Sequence, residues 1–249
     1  MSNIPPPPPL SPPPGYVPYG APGAAGGTFQ NIGGLAKALV ILSAIGAALS
    51  LALVGLGFSL RDKADGSLSA FEDSLGPYVL VGLLGGAVGL AALVVQIIWT
   101  YRMAKNLRTL RRDGQSFGPG VTIAINILSP CTLGILPFFV WRELWKGSNP
   151  ESPAGDPNWK QSALGSIVIG WFVLQLITVV STFSVNIGTG SFSAGFGNRK
   201  SSDLAEQLRD QVGVTAISGV LGAATTVAFI LVIRQLTDRH MQSTGETAA

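Results

Sequence analysis

The chain has 249 residues, of which only 12% are charged, and it carries a formal net charge of +3. Ordinary soluble domains contain roughly 25% charged residues, and here the apolar residues are gathered into runs of about twenty or more, which excludes a soluble globular protein and indicates a polytopic membrane protein. In such a protein a cationic excess reflects orientation in the membrane and attraction to anionic lipid, so no nucleic-acid partner is expected.

Residues 1–33 are predicted to form a disordered, Pro- and Gly-rich cytoplasmic tail. Its run of five prolines forbids helix and sheet, because proline fixes φ and has no N–H to donate. Such a run adopts polyproline II. Two interpretations follow: the tail is a ligand for the aromatic-lined groove of a partner protein, or it is a flexible spacer.

Residues 34–236 are predicted to form a helical membrane domain. Its first span is Ala38–Leu60, a polar loop occupies Arg61–Pro77, and the second span is Tyr78–Thr100. The second span contains two overlapping Gly-x-x-x-Gly spacings, which allow helix backbones to approach closely, either within the bundle or in a dimer. The predicted packing residues are Gly82, Gly85, Gly86 and Gly89, with Gly219 and Ala223 in the last span.

The second helix is predicted to continue beyond the membrane and to end near Asp113 and Gly114. At about 100° per residue, four of its cations share one face and three apolar residues fall on another. The cations are Arg102, Lys105, Arg108 and Arg112, and the apolar residues are Met103, Leu107 and Leu110. Such a helix can lie at the headgroup boundary; the alternative is that the cations only fix the orientation of the chain. The predicted headgroup contacts are Arg102, Lys105, Arg108, Arg111 and Arg112, followed by Arg142, Trp145 and Lys146.

The next apolar segment, Val121–Trp141, is predicted to be broken at Pro130 and at Pro137. It is either a kinked fifth span or a re-entrant, interfacial segment that returns to the side from which it came. Two further spans follow at 163–185 and 212–233, and residues 237–249 are predicted to be a flexible tail in which His240 is solvated.

The distribution of cations decides between the two interpretations. With a re-entrant segment, eleven of the sixteen Lys and Arg residues lie on the cytoplasmic side and five outside; with a fifth span the division is nine to seven. Because cytoplasmic loops are enriched in Lys and Arg, we predict an all-α protein with four transmembrane helices plus the re-entrant segment. It would be a multi-pass protein of the cell membrane with both termini cytoplasmic and the 61–77 and 186–211 loops outside.

The central stretch is similar to a known family. A Trp-Thr-Tyr-Arg sequence is followed by an Asn-Leu pair, a Phe-Gly-Pro-Gly sequence, and a proline-broken segment that ends in Arg-Glu-Leu-Trp-Lys-Gly-Ser. Residues 80–185 thereby resemble a bacterial membrane family of unknown function, DUF4328. The resemblance implies a fold and a location; because the family has no assigned activity, it implies no catalytic residue. The matching positions are Trp99, Arg102, Asn106, Leu107, Pro130, Pro137, Arg142, Leu144, Trp145 and Ser148.

The sequence predicts no enzyme, cofactor or metal site. No Asp, Glu or His lies within a predicted span, and the single His240 has no second histidine with which to bind a metal. We therefore expect a membrane-embedded interaction or scaffold protein that contacts anionic lipid, with the Pro-rich tail as a candidate site for a protein partner. Its oligomeric state is not defined by the sequence. The alternative is a small transporter or channel-like protein, which would require a polar cavity near Asn126 and Gln175.

Overall fold

The computed structural model describes residues 28–188 and 201–246, and this part of the chain is helical with no strand. Most of the Pro-rich tail, and with it the predicted docking sequence, lies outside the described residues. The described α-helices, in chain order, are α1 Gly33–Gly66, α2 Leu68–Thr109, α3 Pro119–Ile127, α4 Ile135–Gly147, α5 Ser166–Gly188 and α6 Ser201–Thr244.

Three of the described helical stretches are long and apolar enough to cross a bilayer: Gly33–Gly66, Leu68–Thr109 and Ala216–Thr244. A shorter apolar stretch, Ser166–Thr182, belongs to α5. In the most apolar part of α2, 0% of the residues are buried, and a continuous exposed apolar surface of this kind marks contact with lipid or with protein. The all-helical class is confirmed and is consistent with a membrane protein, while the number of four spans stays a prediction.

The predicted polar loop at Arg61–Pro77 is wrong. α1 continues to Gly66 and α2 begins at Leu68, so that Ser67 alone connects them. The Ser67 hydroxyl accepts a hydrogen bond of 3.3 Å from the Ala70 backbone N–H. This bond caps the first turn of α2, where backbone N–H groups have no acceptor within the helix.

Pro77, the last residue of the predicted loop, lies inside α2. A proline at such a position removes one backbone hydrogen bond. The adjoining turns are nevertheless held by a small buried cluster, in which Phe71 packs between Leu60 and Ala64 of α1. Packing of this kind contributes more to helix formation than local propensity does, and it offsets the missing bond.

α3 and α4 form a helical hairpin. The backbone N–H groups of Ser116 and Phe117, which precede α3, each donate a hydrogen bond of 3.1 Å to the Glu143 carboxylate in α4. The start of α3 therefore lies beside the last turns of α4, and the chain enters and leaves the hairpin at the same end of the bundle. With nine residues, α3 rises only about 13 Å, which is less than half of a bilayer core.

The tip of the hairpin contains the break predicted at Pro130, which begins a 3-10 turn after α3 has ended. Leu133 and Gly134 then take positive φ values of 51° and 78° and reverse the chain. The break predicted at Pro137 is wrong, because this residue lies in the first turn of α4. A missing N–H is tolerated there, since the first N–H groups of a helix have no intrahelical acceptor.

The buried core lies at the end of the bundle where α1 begins and where α2, α4 and α6 end. The second helix continues beyond Thr100, as predicted, as far as Thr109. α6 continues to Thr244, so the part of the predicted flexible tail from 237 to 244 is helical. The largest fully buried apolar side chains of this core are Ile32, Leu39, Trp99, Met103, Leu107, Trp141, Leu144, Ile233 and Leu236.

Candidate functional site

Four aromatic side chains hold α4 against three other helices. The ring of Trp141 lies 5.3 Å from Trp99 of α2, 5.2 Å from Trp171 of α5 and 5.3 Å from Phe229 of α6, measured between ring centroids. These separations and tilted orientations are those of favourable aromatic pairs. The returning leg of the hairpin is therefore held against α2, α5 and α6 on the side that carries Trp141.

A pocket of about 200 Å³ adjoins this aromatic cluster and lies between the hairpin tip and the helices α2, α5 and α6. We call it the hairpin pocket. Its described lining contains no charged side chain, but it includes two glutamines, two threonines and a serine. The lining residues are Gln96, Ser129, Gly134, Pro137, Trp141, Trp171, Gln175, Thr225, Thr226 and Phe229.

The polar groups of the hairpin pocket are only partly satisfied by the protein. Gln96 Nε2 donates to Asn126 Oδ1 at 2.8 Å, so that Asn126 lies behind Gln96 and does not itself line the space. The hydroxyl groups of Thr178 and Thr225 are 2.7 Å apart. No hydrogen bond joins the Gln175 amide to another residue of the described chain, although Gln175 lies within the apolar helix α5.

A second group of polar side chains consists of Asn106, His240 and Ser148, and we call it the base cluster. It is buried at the end of the bundle where α2, α4 and α6 end. Asn106 pairs with the backbone of Gln30: its Oδ1 accepts from the Gln30 N–H at 2.8 Å and its Nδ2 donates to the Gln30 carbonyl at 2.9 Å. This double pairing fixes which end of the Asn106 amide is the donor. The described end of the tail is thus held on the bundle.

The prediction that His240 is solvated is wrong, because its side chain is fully buried. The other N–H of Asn106 Nδ2 points to His240 Nε2 at 3.1 Å, and His240 Nδ1 lies 2.7 Å from Ser148 Oγ. Nε2 must therefore accept, which leaves the proton on Nδ1 and makes the imidazole neutral. His240 lies beyond the apolar run that ends at residue 233, and burial lowers its pKa to about 3.

Arg112 is not a headgroup residue, contrary to the prediction, because it is only 2% exposed. Arg111 has a φ of 52°, and this left-handed residue turns the chain so that Arg112 faces the carbonyl end of α4. Its guanidinium donates to four backbone carbonyls, those of Gly147, Asn149, Ser152 and Pro153, over 2.8 to 3.4 Å. The pKa of Arg112 is lowered by burial, and the Asp156 carboxylate opposes this shift only in part.

The apolar face of the cationic helix is covered by protein rather than lipid. Met103, Leu107 and Leu110 all belong to the buried core, so the prediction that this apolar face lies against lipid is wrong, while contact of the exposed cations with headgroups stays a prediction. Trp145, expected at the interface, is also buried, and its ring lies 5.2 Å from the Arg239 guanidinium. The sequence correctly predicted that Met103, Leu107 and Leu110 share one face of the helix, but this face contacts protein and not the predicted lipid.

The other predicted headgroup cations lie near or at the surface. Arg102 donates to the Asn31 carbonyl at 2.9 Å, and Lys146 donates to the Lys160 carbonyl at 2.7 Å. The remaining four, whose side chains are exposed, are Lys105, Arg108, Arg111 and Arg142.

The glycines of the second span do not mark a close helix contact within the described chain. A Cβ atom added at Gly82, Gly85, Gly86 or Gly89 would meet nothing within 4 Å. At Gly219, in contrast, the added atom would collide with the side chain of Val54 of α1. The close approach of α1 and α6 therefore depends on Gly219, which lies on α6 one turn before the partly buried Ala223.

A second pocket, of about 310 Å³, opens on the outer side of α4. We call it the basic pocket. Three of its lining side chains are cations, and its single carboxylate, Glu143, is already occupied by the two backbone N–H groups that close the hairpin. The lining residues are Ser116, Phe117, Phe139, Arg142, Glu143, Lys146, Trp159 and Lys160.

Sequence reasoning missed several residues of these sites. Lys160 and Trp159 come from a loop without periodicity, and Gln96 and Thr225 are isolated polar residues within apolar runs. A polar side chain inside an apolar span is itself a signal of function, and applied to every span it would have identified Gln96 and Thr225 as it did Gln175. His240 carried no such signal.

Comparison with known proteins gives a family but no relative of known activity. No curated protein and no solved structure matches this chain. A family model described as a domain of unknown function, DUF4328, matches residues 62–238. The match extends from the end of α1 almost to His240, and it includes Asn106, Ser148 and both legs of the hairpin. The resemblance seen in the sequence is thereby confirmed, and the chain belongs to the DUF4328 family.

Proposed function

We propose that this chain is a multi-pass protein of the cell membrane with four spans, in which the α3–α4 hairpin re-enters from the cytoplasmic side. The proposal joins the charge distribution of the sequence, the exposed apolar surfaces of α1, α2 and α6, and the hairpin whose two ends lie together. Both termini are then cytoplasmic, and the turn at Ser67 is outside.

We further propose that the hairpin pocket binds a small, uncharged, polar solute. The observation that carries this proposal is the convergence of polar side chains from four elements on one space within apolar helices. Polar groups at such depth are costly unless they have partners, and they mark substrate sites in membrane proteins. Gln175 has no partner within the described protein, so its amide is available to a solute.

The size and chemistry of the hairpin pocket restrict the solute. A volume of about 200 Å³ is below the range of roughly 300–1,000 Å³ that drug-sized ligands occupy. Amide and hydroxyl groups donate to and accept from the hydroxyl or amide groups of a solute, and the described lining has no charged side chain to balance an ion. Broken helical segments that line a cavity are a feature of transporters and channels, so the function proposed is binding and passage, not catalysis.

Osmotic swelling of liposomes that contain the purified protein tests this function. We expect faster swelling than in protein-free liposomes when glycerol or urea is the permeating solute. Gln175→Leu should return the rate towards the protein-free value, because it removes the free amide from the pocket. The matched control is Ile177→Leu, on the exposed face of the same helix, which should swell like the wild type. Equal rates with and without wild-type protein would refute the proposal.

An interaction role, favoured by the sequence alone, is a second candidate. One observation supports it: the chain is fixed close to where the described residues begin, because Gln30 is paired with Asn106 and Ile32 is fully buried. The run of five prolines precedes this fixed point in the sequence, and it is the ligand that this candidate assigns to the groove of a partner protein. Purification in mild detergent with and without residues 1–28 tests this candidate, which predicts a protein partner lost on truncation.

A further inference from the structure

We propose that the basic pocket binds the phosphate group of an anionic amphiphile, with Arg142, Lys146 and Lys160 as its cationic ligands. This site lies outside the hairpin pocket and does not depend on the solute proposed for it.

The three cations are held in position but retain free donors. Lys146 Nζ donates to the Lys160 carbonyl at 2.7 Å, and Lys160 Nζ donates to the Gly114 carbonyl. Each ammonium has three N–H donors, so two remain on each. No hydrogen bond or ion pair joins the Arg142 guanidinium to a described residue. The pocket therefore offers a planar donor fork and two ammonium groups on one side.

The positive charge of the basic pocket is not balanced within the protein. Arg142 and Lys146 are four residues apart on α4 and lie on one face, an arrangement of like charges that destabilises a helix. Burial lowers the pKa of Lys146, and the charge of Arg142 lowers it further. Glu143 supplies one negative charge, but both of its oxygens accept backbone N–H groups. An anion placed between the cations would relieve this repulsion and form charge-assisted hydrogen bonds.

The surface of α4 indicates an amphiphile rather than a free ion. Ile135, Phe139, Arg142 and Lys146 share one face of the helix at about 100° per residue. Ile135 is 44% and Phe139 39% exposed, and both lie near the hairpin tip, at the start of α4. The two cations lie near the end of α4. The apolar half is placed to contact an acyl chain and the cationic half its phosphate, which is the arrangement by which basic pockets bind lipid headgroups.

The test compares three additives to the full chain purified in an uncharged detergent: phosphatidylglycerol, phosphatidylcholine and inorganic phosphate. The readout is the midpoint of thermal unfolding followed by tryptophan fluorescence. Phosphatidylglycerol should raise the midpoint at lower concentrations than phosphatidylcholine does. In Arg142→Gln/Lys146→Gln its half-saturating concentration should rise about 30-fold, since each basic residue contributes about a factor of five.

The matched control is Lys105→Gln/Arg108→Gln, which removes two exposed cations of α2 that do not line the basic pocket. It should respond to phosphatidylglycerol like the wild type. Should the α4 double variant fail to fold, Lys160→Gln replaces it, with Lys160→Arg expected to retain binding. Equal responses of the pocket variant and the α2 control would overturn the site. Full stabilisation by inorganic phosphate, with no added effect of lipid, would overturn the amphiphile and leave a free phosphate ion as the ligand.

Discussion

His240 shows how one buried side chain can join distant parts of this chain. Its two ring nitrogens contact Asn106 of α2 and Ser148 at the end of α4, and Asn106 in turn holds the backbone of Gln30. Four segments of the chain thus meet at one neutral imidazole. Protonation would give Nε2 a hydrogen that points at the N–H of Asn106, and it would leave a buried charge without a counterion in the base cluster.

Acid should therefore destabilise the protein through His240. Its pKa is about 3 when folded and about 6.5 when unfolded, so the unfolded state binds the proton first as the pH falls. The stabilisation is complete above pH 6.5 and is lost between pH 6.5 and 3, by about 1.4 kcal/mol per pH unit. Thermal unfolding between pH 7.5 and 4.5 measures this slope. His240→Gln cannot titrate and should show a smaller slope; an unchanged slope would contradict the assignment.

The contacts between helices distinguish two glycines that look alike in the sequence. A side chain at Gly86 would meet open space, whereas one at Gly219 would collide with Val54. We expect Gly86→Leu to leave the unfolding temperature in detergent unchanged, although the sequence alone predicts a loss. Gly219→Leu should lower it, because overpacking a helix contact typically costs about 1–3 kcal/mol or more. A loss at Gly86 equal to that at Gly219 would show that the α2 glycines contact a second copy of the chain.

Several elements were predictable because their signals are local. Pro130 marks the hairpin tip, and the phase of Met103, Leu107 and Leu110 places them on one face. Periodicity shows which residues share a face, but it does not show what covers that face, so protein was mistaken for lipid. At Pro137 the error has another cause: a proline breaks a helix in its interior and not in its first turn, and the start of α4 was not visible in the sequence.

The base cluster was not predictable, because its partners are far apart in the chain. His240 lies 134 residues from Asn106 and 92 from Ser148. Asn106 and Ser148 could be picked out only as family positions, without a role, and His240 falls just beyond the residues that the family model matches. Arg112 was equally hidden, since its phase agrees with that of the exposed cations until the backbone reverses at Arg111.

At the scale of the whole molecule, the proposed topology places the Ser67 turn and the loop after α4 on opposite sides of the membrane. Cysteines introduced at the exposed positions Ser69 and Glu151 test it, after the exposed Cys131 has been changed to Ala. An impermeant thiol reagent added to intact cells should label Ser69→Cys and leave Glu151→Cys unlabelled until the cells are opened. Labelling of Glu151→Cys alone in intact cells would reverse the orientation.

The one-residue connection at Ser67 also affects how the protein meets its surroundings. α1 has 34 residues and α2 has 42, so they are about 51 and 63 Å long and exceed a bilayer core of about 30 Å. In the proposed topology they end on the far side of the membrane as a stiff, paired projection, which carries Asp62, Asp65, Glu72 and Asp73 against the two cations Arg61 and Lys63. Proteases cut exposed, flexible loop tips, and this projection offers them none. A cell displaying the protein would therefore present a cleavage-resistant acidic post, in which an inserted tag would be tolerated only at its apex.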